Sequence, residues 1–223
     1  MKKIVGQSRE IKKKIDSLEF DVHWYRRVFH TFGATFLVYY ILPSDIEWLN
    51  LAKFWVPLSI VIFTIILEYL RISRKIDSKH FFGLRMYEKN RAGSYVFFAV
   101  GILLLLLLRF PQQIAIPCIL CACIADPIMG EVRHRFEKKY VYITGFIVCL
   151  FFFMITWYKA AIWLMLLISI VGAAGAVIGE AKKFWWLDDD FMIQMLPAIF
   201  LLIIWLSAQY IGIALPEPII YPW

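Results

Sequence analysis

The chain has 223 residues, a hydrophobic share of 61%, a mean hydropathy of +0.69 and a formal net charge of +7. A water-soluble domain is about 45–50% apolar, so the composition excludes an ordinary soluble enzyme, and the 17% aromatic share suits Trp and Tyr at membrane interfaces. The basic residues flank apolar runs, which marks them as topology signals and as contacts for lipid headgroups or phosphates, with no nucleic acid expected.

Residues 1–27 form the first unit. Ile11, Ile15, Leu18, Val22 and Tyr25 recur at helical spacing with Lys and Arg on the other faces, which predicts an amphipathic helix over 8–27 lying on the cytoplasmic interface. No small-residue cleavage site follows an apolar core there, so the segment is expected to be retained. Residues 28–223 are expected to form one membrane-embedded domain.

Within that domain the apolar runs predict an all-α polytopic bundle of about seven spans, at 28–42, 52–72, 94–110, 112–127, 141–158, 160–179 and 191–213. A helix crossing about 30 Å of hydrocarbon needs about 20 residues, so the first, third and fourth runs are short. Pro111 and Pro117 suit a turn between the third and fourth.

Twenty-one of the 24 Lys and Arg residues fall before the first run or after the second, fourth and sixth; only Lys53, Arg109 and Lys159 fall on the other side. This alternation predicts a cytoplasmic N-terminus and an odd number of spans. The four cysteines, Cys118, Cys121, Cys123 and Cys149, lie inside apolar runs. Cys118-x-x-Cys121 is half a zinc pattern without a second half, so reduced, buried packing is expected.

The candidate functional residues gather on the cytoplasmic side: His30, Glu68, Arg71, Asp126, Glu131, Glu180 and Asp188-Asp189-Asp190. Three adjacent carboxylates repel one another. One Asp suffices to cap the helix that follows, and three suggest a divalent cation or a nucleotide. Asp126 ends an apolar run, and Pro127 and Gly130 are expected to break the helix there, as backbone lining a site does. Arg133, Arg135, Lys138 and Lys139 follow at once, which places cationic phosphate ligands beside an acidic metal site.

Glu180 closes the small-residue stretch Gly172-Ala173-Ala174-Gly175-Ala176, where helices can approach closely. Glu68 and Arg71, spaced i, i+3, share a helix face; an internal ion pair and a phosphate contact by Arg71 are both open. His30, just inside the first run, is either a packed histidine or part of the site. Walker-type, Gly-x-Ser-x-Gly and His-Glu-x-x-His motifs are absent.

The order of these elements resembles the polyprenol kinase family, which includes dolichol kinase, phytol kinase and CTP-dependent diacylglycerol kinase and shares a superfamily with phosphatidate cytidylyltransferases. The resemblance is carried by Arg26-Arg27-Val28-Phe29-His30-Thr31-Phe32-Gly33, by Glu68-Tyr69-Leu70-Arg71, by Ala125-Asp126 with Gly130 beyond it, by Glu180 ending a small-residue helix, and by Asp188-Asp189-Asp190 opening the last run. The chain departs from the family with Ala125 for Gly, Asp190 for Asn, Gln194 near a usual Pro, and no Lys-Thr-x-x-Gly loop in Glu137-Lys138-Lys139-Tyr140.

The resemblance implies a Mg²⁺-dependent kinase that moves a phosphoryl group, CTP being the favoured donor, onto a lipid alcohol at the cytoplasmic face. Asp126 and Asp188–Asp190 would hold the metal, and Arg71, Arg91, Arg133, Arg135 and Lys138 the phosphates. Glu180 or an Asp such as Asp189 would orient or deprotonate the lipid hydroxyl, with His30 at the same site and Glu68 and Glu131 in support. The alternatives are a cytidylyltransferase acting on a phospholipid and a non-catalytic ion-coupled transporter. The oligomeric state stays open between monomer and homodimer.

Overall fold

The computed structural model describes residues 27–76, 91–182 and 187–221. Among them the structure is helical, without a strand, and seven helical runs follow one another. Run α1 (residues 27–41) is α-helical at 27–32, tightens to a 3₁₀ turn at Gly33–Leu37 and ends as α-helix at Val38–Ile41. The others are α2 (Glu47–Ile72), α3 (Ser94–Leu107), α4 (Gln112–Arg135), α5 (Lys138–Thr156), α6 (Ile162–Ala181) and α7 (Asp189–Ile211).

Five of these, α2 and α4 to α7, are long and apolar enough to cross a membrane. The 14-residue α3 is apolar but shorter, and α1 is irregular. Seven runs are therefore present where seven spans were expected, and five have the length and hydropathy of a span. The amphipathic helix expected over 8–27 lies outside the described residues, apart from its last position.

The contacts show the runs passing back and forth between two ends. At one end Lys53 donates to the Ser44 hydroxyl (2.8 Å), Trp157 donates from its indole to the Gln113 carbonyl (2.7 Å), and the Gln113 amide donates to the carbonyls of Pro216 (2.9 Å) and Glu217 (2.6 Å). At the other end lie His30, Glu68, Arg71, Arg91, Arg133, Glu180 and the start of α7. The ends that the basic residues mark as one side are thus one end of the bundle.

Helix α4 is the central element. Ile114, Cys118, Ile119, Cys121, Cys123 and Met129 on it are all fully buried, and the four cysteines are free. Its path differs from expectation. The run does not stop at residue 127 but continues to Arg135, with one π-helical turn at Cys121–Ala125. Proline lacks the N–H for an interior bond and its ring crowds the carbonyl four residues back. A widened turn just before Pro127 accommodates both without ending the helix. Asp126 therefore sits inside a continuous helix, and the basic residues after it are not on a loop. Only Phe136 and Glu137 separate α4 from α5.

Helix α6 packs closely on α7 because its facing positions are glycines. A Cβ on Gly175 would stand 3.0 Å from the Pro197 backbone, and one on Gly179 would stand 2.5 Å from the Met192 carbonyl oxygen. This contact brings the Glu180 end of α6 against the three-aspartate start of α7. Helix α2 is peripheral: it buries Lys53, Pro57, Val61, Glu68 and Arg71, and turns Leu51, Phe54, Trp55, Ile62, Phe63 and Ile66 outward.

Candidate metal and phosphate site

The site is built on the start of α7. Asp188 caps the helix, its Oδ1 accepting from the Asp190 amide at 3.3 Å. With Asp188 as the cap, the capping role needs neither Asp189 nor Asp190. Asp190 is buried and turned toward α1 and α4, while Asp189 is part-exposed in the first turn. One carboxylate oxygen from each of Asp188, Asp189 and Asp190 falls within 4.8 Å of the others. Burial above all, then a hydrogen bond shared with Asp189 and the charges of Asp190 and Asp189, push the Asp188 carboxyl up to about 8.

His30 joins this group to α4. It is 2% exposed and lies between two carboxylates, with Nδ1 3.5 Å from Asp126 Oδ2 and Nε2 3.6 Å from Asp190 Oδ2. Nδ1 is also 3.4 Å from the Ala122 carbonyl, in the π-helical turn. The Phe98 ring packs on the imidazole at 4.5 Å between centroids. The imidazole thus has an oxygen of α4 on its Nδ1 side and the Asp190 carboxylate on its Nε2 side. His30 Nε2 and Asp190 Oδ2 would both be available as ligands to one cation. The donor set of carboxylate oxygens and one imidazole nitrogen fits a divalent cation, the oxygens suiting Mg²⁺ and the nitrogen extending the fit to Mn²⁺.

Glu180, at the end of α6, forms an ion pair with Arg133 through Oε1. Its side chain is 1% exposed, and the other oxygen, Oε2, is buried with no hydrogen-bond partner among the described residues. An unmet buried acceptor costs about 1–3 kcal/mol, which marks Oε2 as a position for a ligand donor. Asp126 and Asp189 lie within electrostatic reach of Glu180 and of Arg133.

The remaining expected residues fall into two groups. Arg91 pairs with Asp188 at 3.2 Å and is half exposed, so it belongs to the site. Glu68 and Arg71 form the internal ion pair: Arg71 donates from Nε to Glu68 Oε2 at 2.6 Å and from Nη2 to Oε1 at 2.7 Å. Its side chain is fully buried and also donates to the Arg91 carbonyl at 2.6 Å, which leaves it facing protein rather than a phosphate. Glu131 accepts from Arg27 and, at 2.7 Å, from Arg135, tying α1 to α4. Arg135 is mostly exposed there, and Lys138 is exposed at the first turn of α5, and neither pairs with Asp126, Glu180 or Asp188–Asp190 among the described residues.

Four contributors were not read from the sequence as site residues. Gln194 is fully buried one turn after Asp190 and donates to the carbonyls of Asp190 (2.8 Å) and Phe98 (3.3 Å). Gly93 and Tyr95 donate to Glu68, the tyrosine hydroxyl at 2.7 Å. Phe98 forms the apolar wall behind His30. The i, i+4 spacing of Asp190 and Gln194 is the one signal that could have been read in advance.

Searches against protein-family models, curated proteins and solved structures return no match to this chain. The likeness to polyprenol kinases rests on the motif residues themselves. The fold brings His30, Asp126, Glu180 and Asp188–Asp190, which come from four separate motifs, to one end of one bundle.

Proposed function

We propose that this protein is a membrane-embedded lipid-alcohol kinase, with CTP as its favoured donor and Mg²⁺ as its cation, working at the cytoplasmic end of the bundle. The observation that carries this reading is the convergence of His30, Asp126 and Asp190, with ligand atoms within 4.8 Å, beside the Asp188–Asp189 pair and two arginines. Carboxylates, an imidazole and guanidinium groups concentrated at the mouth of an apolar bundle match a triphosphate headgroup better than a hydrocarbon tail.

Asp126, Asp188, Asp189 and Asp190, with His30, would hold the cation, which when bound neutralises phosphate charge. Arg91 and Arg133 are placed to hold phosphate oxygens. Glu180 Oε2 would accept the hydrogen of the lipid hydroxyl. The lipid oxygen then bonds to the γ-phosphorus as the bond to the bridging oxygen breaks, the nucleoside diphosphate leaves, and the proton passes to Glu180. Positioning and charge account for most of such a transfer. An apolar groove of about 370 Å³ on the outer face, between α5 and α6, is lined by Ile143, Phe146, Ile147, Ala174 and Val177. It would take part of a hydrocarbon chain, and Val177 is three residues from Glu180.

Purified protein incubated with Mg²⁺, a panel of lipid alcohols and phospholipids, and CTP labelled in the γ or the α phosphate tests the proposal. Label from the γ position on a lipid alcohol supports it. Label from the α position on a phospholipid replaces it with cytidylyl transfer. No lipid label with CTP or ATP, in protein shown to bind Mn²⁺, leaves an ion-coupled carrier as the better account. Reporter fusions at both termini test the orientation: opposite compartments with the N-terminus inside are expected, and both termini in one compartment overturns it.

A further inference from the structure

The ion pair between Arg91 and Asp188 is held by an unusually complete anchor. Glu68 accepts four hydrogen bonds: two from Arg71, one from the Gly93 amide and one from the Tyr95 hydroxyl. Arg71 in turn donates to the Arg91 carbonyl. The backbone from Arg91 to Tyr95 is thus fixed from both sides to the end of α2, while the Arg91 side chain is half exposed and reaches a carboxylate that is only 1% exposed. A fixed backbone with a solvent-facing guanidinium is a built pivot. One of its partners, Asp188, is one of the three carboxylates gathered at the start of α7.

We infer that Arg91 is the displaceable internal counter-ion of the cation site, and that Glu68 and Arg71 are positioning residues that aim it at Asp188. Asp188, once engaged with Asp189 and Asp190 in holding a divalent cation, would release Arg91, whose side chain would then be available from its fixed backbone to an anionic group in solvent. Cation binding and phosphate capture are thereby coupled through one side chain. This rests on the cation site proposed above.

The test is Mn²⁺ binding to the purified full chain, followed by electron paramagnetic resonance without nucleotide. Removing a half-exposed competing charge is worth up to about 1 kcal/mol, or about fivefold. Arg91→Gln is therefore expected to tighten Mn²⁺ binding about fivefold. Arg71→Lys, which keeps the charge but loses the paired geometry and the tie to the Arg91 carbonyl, is expected to tighten it in the same direction by less. In the Arg91→Gln background Arg71→Lys is expected to change nothing further, because the residue it positions is gone. Glu68→Gln serves as a second positioning variant, and Arg71→Lys decides alone if that protein does not fold.

Unchanged or weaker Mn²⁺ binding in Arg91→Gln overturns the counter-ion role. An Arg71→Lys effect that persists without Arg91 overturns the positioning role. Absence of Mn²⁺ binding in the parent protein at millimolar metal overturns the cation site itself, and so separates failure of the underlying reading from failure of this inference.

Discussion

Arg133 and Glu180 join the last turn of α4 to the last turn of α6, a half-exposed guanidinium holding a carboxylate that is 1% exposed. The pair ties together the two helices that deliver Asp126 and the catalytic candidate. Arg133→Gln leaves the buried carboxylate unpaired and is expected to destabilise the protein by about 1–3 kcal/mol. The double change Arg133→Gln with Glu180→Gln is expected to recover part of that loss. Thermal unfolding in detergent measures both. Equal unfolding temperatures for the parent and Arg133→Gln would show that the pair contributes nothing to holding these ends together.

His30 and the carboxylates on either side of it should act as one unit. Asp126→Asn, Asp190→Asn and His30→Ala each remove a ligand, which costs at least as much as losing a group that orients one, so each is expected to weaken Mn²⁺ binding at least about 10-fold, while helical content and unfolding temperature stay close to the parent. Of the three, His30→Ala is the sharper probe, because the imidazole links α1 to both α4 and α7. Parental Mn²⁺ affinity in His30→Ala would reduce the histidine to a packing residue against Phe98.

The cluster predicts a pH dependence. The Asp188 carboxyl is pushed up to about 8, above its ordinary value of about 4. In the metal-free protein the Asp188–Asp189 pair, joined by a hydrogen bond beside Arg91, keeps one proton that the unfolded chain has released, so stability falls as pH rises between those two values. A cation must displace that proton below about 8 and does not need to above it. The rise in unfolding temperature on adding Mg²⁺ is therefore expected to be larger at pH 9 than at pH 6. A larger rise at pH 6 contradicts the assignment.

Two glycines near the site should respond in opposite ways. Gly179→Ala drives a methyl toward the Met192 carbonyl oxygen, which is backbone and cannot rotate away. It is expected to cost about 1–3 kcal/mol and to weaken Mn²⁺ binding as the start of α7 is pushed off α6. Gly130→Ala meets nothing within 4 Å and is expected to stabilise α4 by up to about 1 kcal/mol. If the two variants unfold at the same temperature, the close approach of α6 and α7 is not what sets this end of the bundle.

Local composition made much of this architecture legible. Apolar runs, prolines and alternating basic flanks are near-neighbour properties, so they placed seven helical runs and sorted their ends into two groups. Membrane-length helices satisfy their own backbone and leave few alternatives. The run lengths at α1 and α3 were also visible as short. The path of α4 was not, because Pro127 and Gly130 read locally as a break. In the structure the segment packs against α1, α5 and α7, and one π-helical turn before the proline carries the helix on to Arg135.

The division of labour among charges lay beyond the sequence for the same reason. Three aspartates in a row are equivalent on paper, and only the tertiary structure gives Asp188 the cap and Arg91, and Asp190 the imidazole of His30. Arg71 and Arg91 are equally suitable phosphate ligands by residue type, yet Glu68, Gly93 and Tyr95 bury the one and leave the other half exposed. Arg133, Arg135 and Lys138 are close in sequence, but the helical turn sends only Arg133 across to Glu180. The sequence by itself determined which residue types collect at one end of an apolar bundle, since hydropathy and charge act through composition. Which of those side chains meet was decided by the tertiary structure, because a charge at a helix end is paired by whatever the neighbouring helices bring within about 4 Å of it.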